Sequence, residues 1–378
     1  MFFRLNPECF FIRGVRFGAI YDLIEGDIYS LDSHESDLVQ QCENNEIISS
    51  SNDFLIKLKQ QCLGNFYEKP VYIEKVRVGS PIISYQPGSP PVINRAFLEI
   101  NNSCDQSCWY CGYYGIHRSN GCYGCNKWNE SGEDVSIERW KELIDELSDL
   151  ECQSLFFTGG DLTCVWDKTL ELVNHASNSF QKIFICLNNN KINDNILGDI
   201  RSKAVPIIQT DSVFDENSEN VYLSIVDVDR KQEPPKNSKN IIIDYISKNF
   251  NSPQTRNVLH PAKKILKTDI FRFSHNKKVH PCIGNNIVVT WNGEILPCPM
   301  LRSFSVGNIK NSPLYSVFAK KDTLLEKYWS LRLDSLSNCG KCEFRFACTE
   351  CRAVEYSITG DITKNELCSY DPTEGTWI

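Results

Sequence analysis

The hydrophobic pattern of the N-terminal part predicts short strands followed by helices. Apolar and aromatic residues cluster in "CFFIRG", "AIYDLI" and "DIYSLD", and Glu25-Gly26-Asp27 is a turn signal between the last two runs. Helical spacing of apolar residues follows over residues 33–42 and 53–62. Residues 1–78 are therefore expected to form a small unit of strands and then helices.

From residue 92 onward, strand patterns alternate with helical ones. The candidate strands are, in chain order, "RAFLEIN", "SLFFTGGD", "KIFICLNNN", "VPIIQTD", "VYLSIV" and "NIIIDYI". Between the first two, Ser136 stands where a helix cap would, and apolar residues from Ile137 to Leu147 share one helix face. This alternation predicts an α/β domain with a parallel sheet. The helices between the later strands show no clear periodicity.

Proline-rich sequence separates these two regions. Residues 79–91, "GSPIISYQPGSPP", predict a stiff linker, because prolines fix backbone angles and remove amide donors. We therefore assign residues 1–78 to an N-terminal module, 79–91 to the linker, 92–250 to the strand–helix domain and 251–378 to a cysteine-rich C-terminal domain.

Charge and composition restrict the class of protein. The net charge of −8 argues against nucleic-acid binding, because no basic stripe would offset repulsion from phosphates. There is no run of about 18 apolar residues, and the start "MFFRLNPECFFIRGVRF" lacks the apolar core of a signal peptide. We expect a cytoplasmic protein that binds neither nucleic acid nor membranes. In that reducing compartment, the 18 cysteines indicate metal or redox chemistry rather than disulfides.

The cysteines form two groups and a scattered remainder. The first group is Cys104, Cys108, Cys111, Cys122 and Cys125, and the second is Cys282, Cys298, Cys339, Cys342, Cys348, Cys351 and Cys368. The scattered six are Cys9, Cys42, Cys62, Cys152, Cys164 and Cys186. These six stand mostly among apolar residues, so they are expected to be ordinary buried cysteines.

The loop after the first strand of the α/β domain contains "CDQSCWYC", a CxxxCxxC pattern formed by Cys104, Cys108 and Cys111. Three thiolates at this spacing can hold three irons of a 4Fe-4S cluster and leave the fourth iron open. Zinc is the competing metal, with Cys122 or Cys125 as a fourth ligand.

Together with "TGGD" after the second strand, this pattern resembles the signature of the radical S-adenosylmethionine (SAM) superfamily. The resemblance implies a partial (β/α)6 barrel, a cluster on the three cysteines, and SAM bound to the open iron through its amino and carboxylate groups. Tyr110 would lie beside the adenine, and Gly159 and Gly160 would let the backbone approach the ammonium of SAM. Asp161 stands where the family usually has glutamate, which makes its direct contact with the ammonium uncertain.

The second group of cysteines is similar to the SPASM extension, which binds auxiliary 4Fe-4S clusters in peptide-modifying radical enzymes. "CIGNNIVVTWNGEILPC" has the pattern Cx10Gx4C with a hairpin turn at Asn292-Gly293, and "CGKCEFRFACTEC" follows as CxxCx5CxxC. The resemblance implies two auxiliary clusters, one sharing Cys282, Cys298 and Cys351 and the other closed by Cys339, Cys342, Cys348 and Cys368.

Three features depart from these patterns. Cys348 and Cys351 are spaced as CxxC where the family usually has CxxxC. The common extra ligand a few residues before Cys282 is also missing, so His275 or His280 could replace it or the iron could be open. A zinc ribbon stays possible for the four central cysteines. "NGCYGCNKW" fits neither motif, and its cysteines could bind zinc or a cluster, form a redox pair or simply pack. Asn188, Asn189 and Asn190 could touch a ligand but are more often turn formers.

The sequence most resembles the grasp-with-SPASM peptide maturases, and residues 1–78 resemble a PqqD-like winged-helix module that binds leader peptides. This implies modification of a ribosomal precursor peptide with a leader, started by a 5′-deoxyadenosyl radical and ending in an oxidative thioether, carbon–carbon or ether crosslink. Reduced flavodoxin or ferredoxin would be the electron donor. No residue identifies itself as a hydrogen donor for epimerisation. Two other hypotheses are an anaerobic sulfatase-maturing type of enzyme and a non-catalytic, metal-stabilised peptide-binding protein.

Overall fold

A computed structural model describes residues 1–77, 93–112, 116–212, 220–236, 239–248, 267–318 and 323–377. The predicted linker, residues 79–91, and the expected domain boundary at residue 250 lie outside the described residues. None of the described helices is both long and apolar enough to cross a membrane.

The N-terminal module has its own apolar core. Its elements are β1 (Phe2–Leu5), β2 (Cys9–Arg13), β3 (Gly18–Asp22), β4 (Ile28–Leu31), α1 (Ser33–Glu43), α2 (Asp53–Gln60) and β5 (Gly64–Tyr67). Strands β2, β3 and β4 form an antiparallel sheet, and the sequence pattern predicted all three together with the two helices. It did not predict β1 and β5, which pair with each other from the two ends of the module.

The predicted partial barrel is confirmed. Its six parallel strands are β6 (Arg95–Glu99), β8 (Ser154–Thr158), β9 (Ile183–Asn188), β10 (Val205–Thr210), β11 (Val221–Asp227) and β12 (Ile241–Ser247). A short strand, β7 (His117–Arg118), adds to β12 in antiparallel orientation at one end of the sheet. Every candidate strand of this domain thus lies at its expected place.

Helices cover the outer face of the first half of this sheet. They are α3 (Ile137–Asp149), α4 (Trp166–Ala176) and α5 (Asp194–Ile200). Ser136 caps α3 as predicted, since its side chain accepts a hydrogen bond from the Arg139 amide, and Trp140 and Leu143 on the apolar face are fully buried. The described residues between Thr210 and Ile241 contain no α-helix. The missing helical pattern there therefore matches the fold of the described residues.

The C-terminal region continues the same sheet. Its elements are α6 (Ile270–Asn276), β13 (Asn286–Val289), β14 (Glu294–Leu296), β15 (Gly307–Asn308), α7 (Leu324–Trp329), α8 (Arg352–Thr359), β16 (Tyr370–Asp371) and β17 (Thr376–Trp377). Strand β13 pairs in parallel with β6, and β14 returns antiparallel through the predicted turn, where Gly293 has φ of +91°. The cysteine-rich region is thereby joined to the barrel by backbone hydrogen bonds.

The N-terminal module packs against the C-terminal region. Tyr21 of β3 is fully buried and its hydroxyl donates a hydrogen bond of 2.7 Å to the Glu343 carbonyl. The Val15 amide donates to the Lys341 carbonyl at 2.8 Å, and Tyr21 also contacts the ring of Phe273. The module therefore lies directly beside the "CGKCEFRFAC" loop.

Candidate iron–sulfur and cofactor sites

The loop with the first three cysteines is held against the end of β8. The Asp161 amide donates to the Ser103 carbonyl at 2.7 Å, and the Gly160 amide donates to the Asn101 carbonyl at 2.9 Å. The Asn101 side chain returns a hydrogen bond of 3.0 Å to the Asp161 carbonyl. Because carboxyl ends of parallel strands meet at one edge of a sheet, this loop lies where ligands bind in α/β folds.

Gly159 and Gly160 allow this close contact. A Cβ at Gly159, where φ is +127°, would lie 2.3 Å from the Asn101 carbonyl oxygen, and a Cβ at Gly160 would lie 2.2 Å from the Ser103 carbonyl oxygen. The resemblance attributed these glycines to the approach of SAM. In the structure, both glycines allow the cysteine loop to pack closely against the end of β8, where a side chain would collide with the loop backbone.

The three cysteines share a small cavity with Tyr110, Gly160 and Asp161. Each thiol accepts a hydrogen bond: Cys104 from the Gln106 amide at 3.4 Å, Cys108 from the Asn188 side chain at 3.4 Å, and Cys111 from the Lys127 amide at 3.3 Å. Such bonds favour thiolate ligands and tune cluster potentials. Burial raises the pKa of the Cys104 thiol to about 11, and the hydrogen bond from the Gln106 amide opposes this rise.

The three thiol sulfurs of the first motif do not all lie within 4.8 Å of one another. Tetrahedral zinc, with bonds of about 2.3 Å, would hold sulfur atoms about 3.8 Å apart. Among the described residues, the trio of possible ligands with all atoms within 4.8 Å is Asp105, Asp161 and Cys164, which contains none of the cysteines of the motifs. The three thiols of the first motif are thus more widely spaced than the ligands of a tetrahedral zinc site.

Asp161 has one carboxylate oxygen free to meet a ligand. Its Oδ1 accepts hydrogen bonds from the Thr163 amide at 2.9 Å and the Thr163 hydroxyl at 2.7 Å. Its Oδ2 is buried and has no protein partner, although Asp161 lines the cysteine cavity. An unpaired buried acceptor is costly, and a ligand ammonium would satisfy it. The residues at this site therefore fit the charged end of SAM.

Two polar residues at strand ends complete this site, and the sequence analysis had singled out Asn188 but not Gln209. Asn188 forms a turn by accepting from the Asn190 amide, as expected of a strand-end asparagine, and its side chain also donates to Cys108 and to the Tyr110 hydroxyl. Gln209 donates to Cys125 at 3.3 Å. Asn189 and Asn190 are exposed. The signal for Gln209 was a polar residue at the carboxyl end of an apolar strand.

Arg118 connects this site to β12. Its side chain is fully buried, forms a 2.7 Å ion pair with Asp244, and donates to the Tyr110 carbonyl, Asn126 and Gln209. Burial alone would lower the pKa of Arg118, but the Asp244 charge raises it. Arg118 therefore remains a cation that joins the cysteine loop to the later strands.

A second, larger cavity of about 570 Å³ is lined in part by residues 118–123. Cys282, Cys298 and Cys351 line it, as the SPASM resemblance grouped them, and Cys122 lines it as well. Burial and then the charges of Cys298 and Cys351 raise the pKa of Cys122. Cys125, three residues later, lines the first cavity instead. The two cysteines of "NGCYGCNKW" thus serve different cavities and do not form one zinc knuckle.

The two histidines near Cys282, His275 and His280, differ in whether a ring nitrogen is free to bind a cluster. Both ring nitrogens of the buried His280 are used, because Nδ1 accepts from the Cys282 amide at 3.0 Å and Nε2 shares a 2.5 Å hydrogen bond with Glu350. His275 lines the large cavity, and burial together with the Arg95 charge lowers its pKa to about 4. Arg95 reaches the same cavity and donates to the Cys282 carbonyl at 3.1 Å.

The remaining four cysteines lie together beside the N-terminal module. Burial and then the charges of Cys348, Glu350, Cys368 and Cys342 raise the pKa of Cys339. Cys339 accepts a hydrogen bond from Asn365 at 2.8 Å, and Cys342 accepts one from the Phe344 amide at 3.3 Å. The structure therefore separates these four thiols from Cys282, Cys298 and Cys351, as the SPASM pattern does.

The prediction for the scattered cysteines was partly wrong. Cys9, Cys42, Cys152 and Cys186 are buried, but Cys62 and Cys164 are exposed. Cys62 follows the end of α2 and has φ of +59°, and Cys164 lies in a short turn after Asp161. Their apolar sequence neighbours point inward while these two side chains point outward.

Comparison with known proteins agrees with this arrangement. The model of an iron–sulfur cluster-binding domain, SPASM, matches residues 281–352, and that of a 4Fe-4S single cluster domain matches residues 102–222. No curated protein matches the sequence.

Similar solved structures include tagged anSMEcpe with bound AdoMet, at 14% identity over 72% of this chain and 93% of that chain, with a TM-score of 0.48. Streptococcus suis SuiB bound to precursor peptide SuiA is another, at 12% identity over 97% and 99%, with a TM-score of 0.48. The two family matches cover the cysteine loop that follows β6 and the C-terminal cysteines, so the chain contains one region similar to a 4Fe-4S single cluster domain and one similar to the SPASM iron–sulfur cluster-binding domain.

Proposed function

We propose that this protein is a radical SAM enzyme that modifies a ribosomally made precursor peptide by oxidative crosslinking, through a thioether, carbon–carbon or ether bond. The observation that carries the proposal is the cavity at the carboxyl end of the parallel strands, which is lined by three cysteines and by Asp161, whose Oδ2 is buried without a protein partner. When bound there, the cluster and SAM supply a 5′-deoxyadenosyl radical that abstracts a hydrogen atom.

The residues of this cavity have the tasks that such chemistry requires. Cys104, Cys108 and Cys111 would hold the cluster, and Asp161 would hold the ammonium of SAM. Tyr110 and Asn188 line the same cavity. The substrate C–H bond would have to be oriented there and kept from water. Arg118 fixes the cysteine loop by donating a hydrogen bond to the Tyr110 carbonyl.

The C-terminal cysteines would hold the electron acceptors that an oxidative crosslink requires. An oxidative crosslink removes two hydrogens from the peptide, one as a hydrogen atom and the other as a proton plus an electron. That leftover electron needs an acceptor, and the two C-terminal groups of cysteines would hold two auxiliary 4Fe-4S clusters as acceptors. Reduced flavodoxin or ferredoxin in the cytoplasm would supply the first electron. The grasp-with-SPASM resemblance favours this chemistry.

The N-terminal module supports a peptide substrate with a leader. In the described part of the chain, β4 pairs only with β3, so its outer edge can accept an extended peptide as a further strand. Main-chain hydrogen bonds along such an edge give affinity for a peptide. We propose that residues 1–78 bind the leader in this way.

The first experiment is anaerobic reconstitution with iron and sulfide, followed by addition of dithionite and SAM. We expect about twelve irons per chain, since three cubane clusters each contain four, and formation of 5′-deoxyadenosine. Bound zinc without 5′-deoxyadenosine would instead support a non-catalytic, metal-stabilised peptide-binding protein.

The second experiment identifies the product on a co-expressed candidate precursor peptide. We expect the mass of two hydrogens to be lost and no reaction with a hydrazide. A product that reacts with hydrazide contains formylglycine and would support the sulfatase-maturing type of enzyme. Deletion of residues 1–78 is a poor test, because it would expose Phe273, Phe346 and Ala347, which pack against the module. Competition by an added leader peptide tests the module in the intact protein.

A further inference from the structure

The large cavity contains one cysteine more than the SPASM pattern accounts for. Cys282, Cys298 and Cys351 come from the C-terminal region, whereas Cys122 comes from the loop between β7 and α3 of the barrel. We propose that Cys122 is the fourth protein ligand of the auxiliary cluster held by these three cysteines. The inference rests on the proposed function, because it requires the chain to bind that cluster.

The loop that carries Cys122 is fixed from several sides. The Asn120 amide donates to Asp244 at 2.8 Å, and the Ser119 amide donates to the Tyr245 carbonyl at 3.0 Å, which ties the loop to β12. Asn126 donates to the Gly121 carbonyl at 2.8 Å and closes the turn around Cys122. A ligand held by a rigid scaffold loses little freedom on binding, so the thiol is preorganised at the cavity wall.

The neighbouring residues support a thiolate at this place. The Arg95 side chain lines the same cavity and ring contacts place it over Tyr123, the residue after Cys122. Its charge offsets the negative charge that four thiolates bring to a cluster. Cys122 also matches the other three ligands in type, since thiolates are the usual ligands of 4Fe-4S clusters.

The histidines are weaker candidates for this position. His280 uses both ring nitrogens in hydrogen bonds within the protein. His275 also lines the cavity, so it is the rival ligand that an experiment must test. An open iron is the other alternative.

Ligation by Cys122 decides what this auxiliary cluster can do. A cluster with four protein thiolates has no open iron, so it cannot bind a substrate thiolate and can act only in electron transfer. It would also bridge the barrel and the C-terminal region covalently. The peptide substrate would then be oriented only by the residues around the small cavity that contains Cys104, Cys108 and Cys111.

The test compares Cys122→Ala with Cys125→Ala in the full-length, reconstituted protein. The two cysteines lie in the same motif but line different cavities, which makes Cys125→Ala a matched control for this cluster. The readouts are iron per chain and the electron paramagnetic resonance spectrum of the dithionite-reduced protein, before and after addition of 2-mercaptoethanol. Activity is not a readout.

We expect the added thiol to leave the auxiliary-cluster spectrum of the wild type and of Cys125→Ala unchanged. Cys122→Ala should either open one iron, so that the thiol changes the spectrum, or lose the cluster and with it about four irons per chain. Cys122→Ser, whose oxygen can still bind iron, should keep the iron and change the spectrum. This second variant separates loss of a ligand from failure to fold.

An unchanged iron content, spectrum and thiol response in Cys122→Ala would overturn the proposal. A thiol-dependent change in His275→Gln instead of Cys122→Ala would also overturn it and assign His275. If the wild type itself holds no 4Fe-4S cluster, the proposed function fails rather than this inference alone.

Discussion

At the scale of single residues, replacing Asp161 tests whether its carboxylate binds the ammonium of SAM. Asp161→Asn retains an oxygen for Thr163 but places a neutral amide where the free Oδ2 meets the cavity. Because hydrogen bonds to charged groups contribute about 1.5–3 kcal/mol, we expect SAM affinity to fall by about ten- to a hundredfold. Calorimetry on the reconstituted protein measures it. Thr163→Val, which leaves Oδ2 in place, should bind SAM nearly as well as the wild type, and equal affinity in Asp161→Asn would contradict the assignment.

Replacing Gly160 tests whether cluster binding requires the close packing of the cysteine loop against β8. In Gly160→Ala, the new Cβ would lie 2.2 Å from the Ser103 carbonyl oxygen, so the loop must move away from β8. We expect reconstitution to yield about four fewer irons per chain, the content of one cluster. Gly198→Ala is the matched control, because no atom lies within 4 Å of its Cβ and alanine favours the helix. Full iron content in Gly160→Ala would show that the loop tolerates the shift.

At the scale of elements, the ion pair between β7 and β12 holds the cavity walls together. Asp244→Asn leaves Arg118 buried and without its counter-ion, and breaking such a pair costs about 3–5 kcal/mol. Denaturant unfolding of the cluster-free protein should show this loss. Asp37→Asn breaks the exposed pair with Arg13 and should cost less than about 1 kcal/mol. A similar small effect at both positions would argue against a structural role for the Arg118 network.

The N-terminal module should lose stability at alkaline pH. Burial raises the pKa of Cys9 and of Cys42 to about 12, above the ordinary value of 9.0. The protonated thiols therefore stabilise the fold fully below pH 9, and this contribution is lost as the pH rises from 9 toward 12. Alkylation at about pH 10, read by peptide mass spectrometry, should modify the exposed Cys62 rapidly and spare both buried thiols. Equal rates for all three would mean that the module opens readily.

At the scale of the whole molecule, Tyr21 joins the N-terminal module to the C-terminal region. Tyr21→Phe removes the hydrogen bond to the buried Glu343 carbonyl and leaves that acceptor unpaired, so we expect a loss of about 1–3 kcal/mol in unfolding free energy. Tyr29→Phe is the matched control, because Tyr29 lies half-buried on the same small sheet. If Tyr21→Phe unfolds like Tyr29→Phe, the module folds independently of its neighbour.

The sequence by itself determined the strands of the barrel, the helix cap at Ser136 and the hairpin at Asn292-Gly293. Each of these depends on local spacing, which periodicity and turn chemistry record directly. Strands β1 and β5 escaped prediction because their pairing joins two distant ends of the module, and the exposure of Cys62 and Cys164 depends on which way a turn points.

Only the tertiary structure decided where "NGCYGCNKW" belongs. Its CxxC spacing allowed both thiols to face one metal, but the turn around Cys122 and the contacts of Arg118 direct them into two cavities. The parallel pairing of β13 with β6 likewise brings the C-terminal cysteines to the barrel loop. Such contacts between residues far apart in sequence leave no periodic signal along the chain, because they arise from the packing of complete elements.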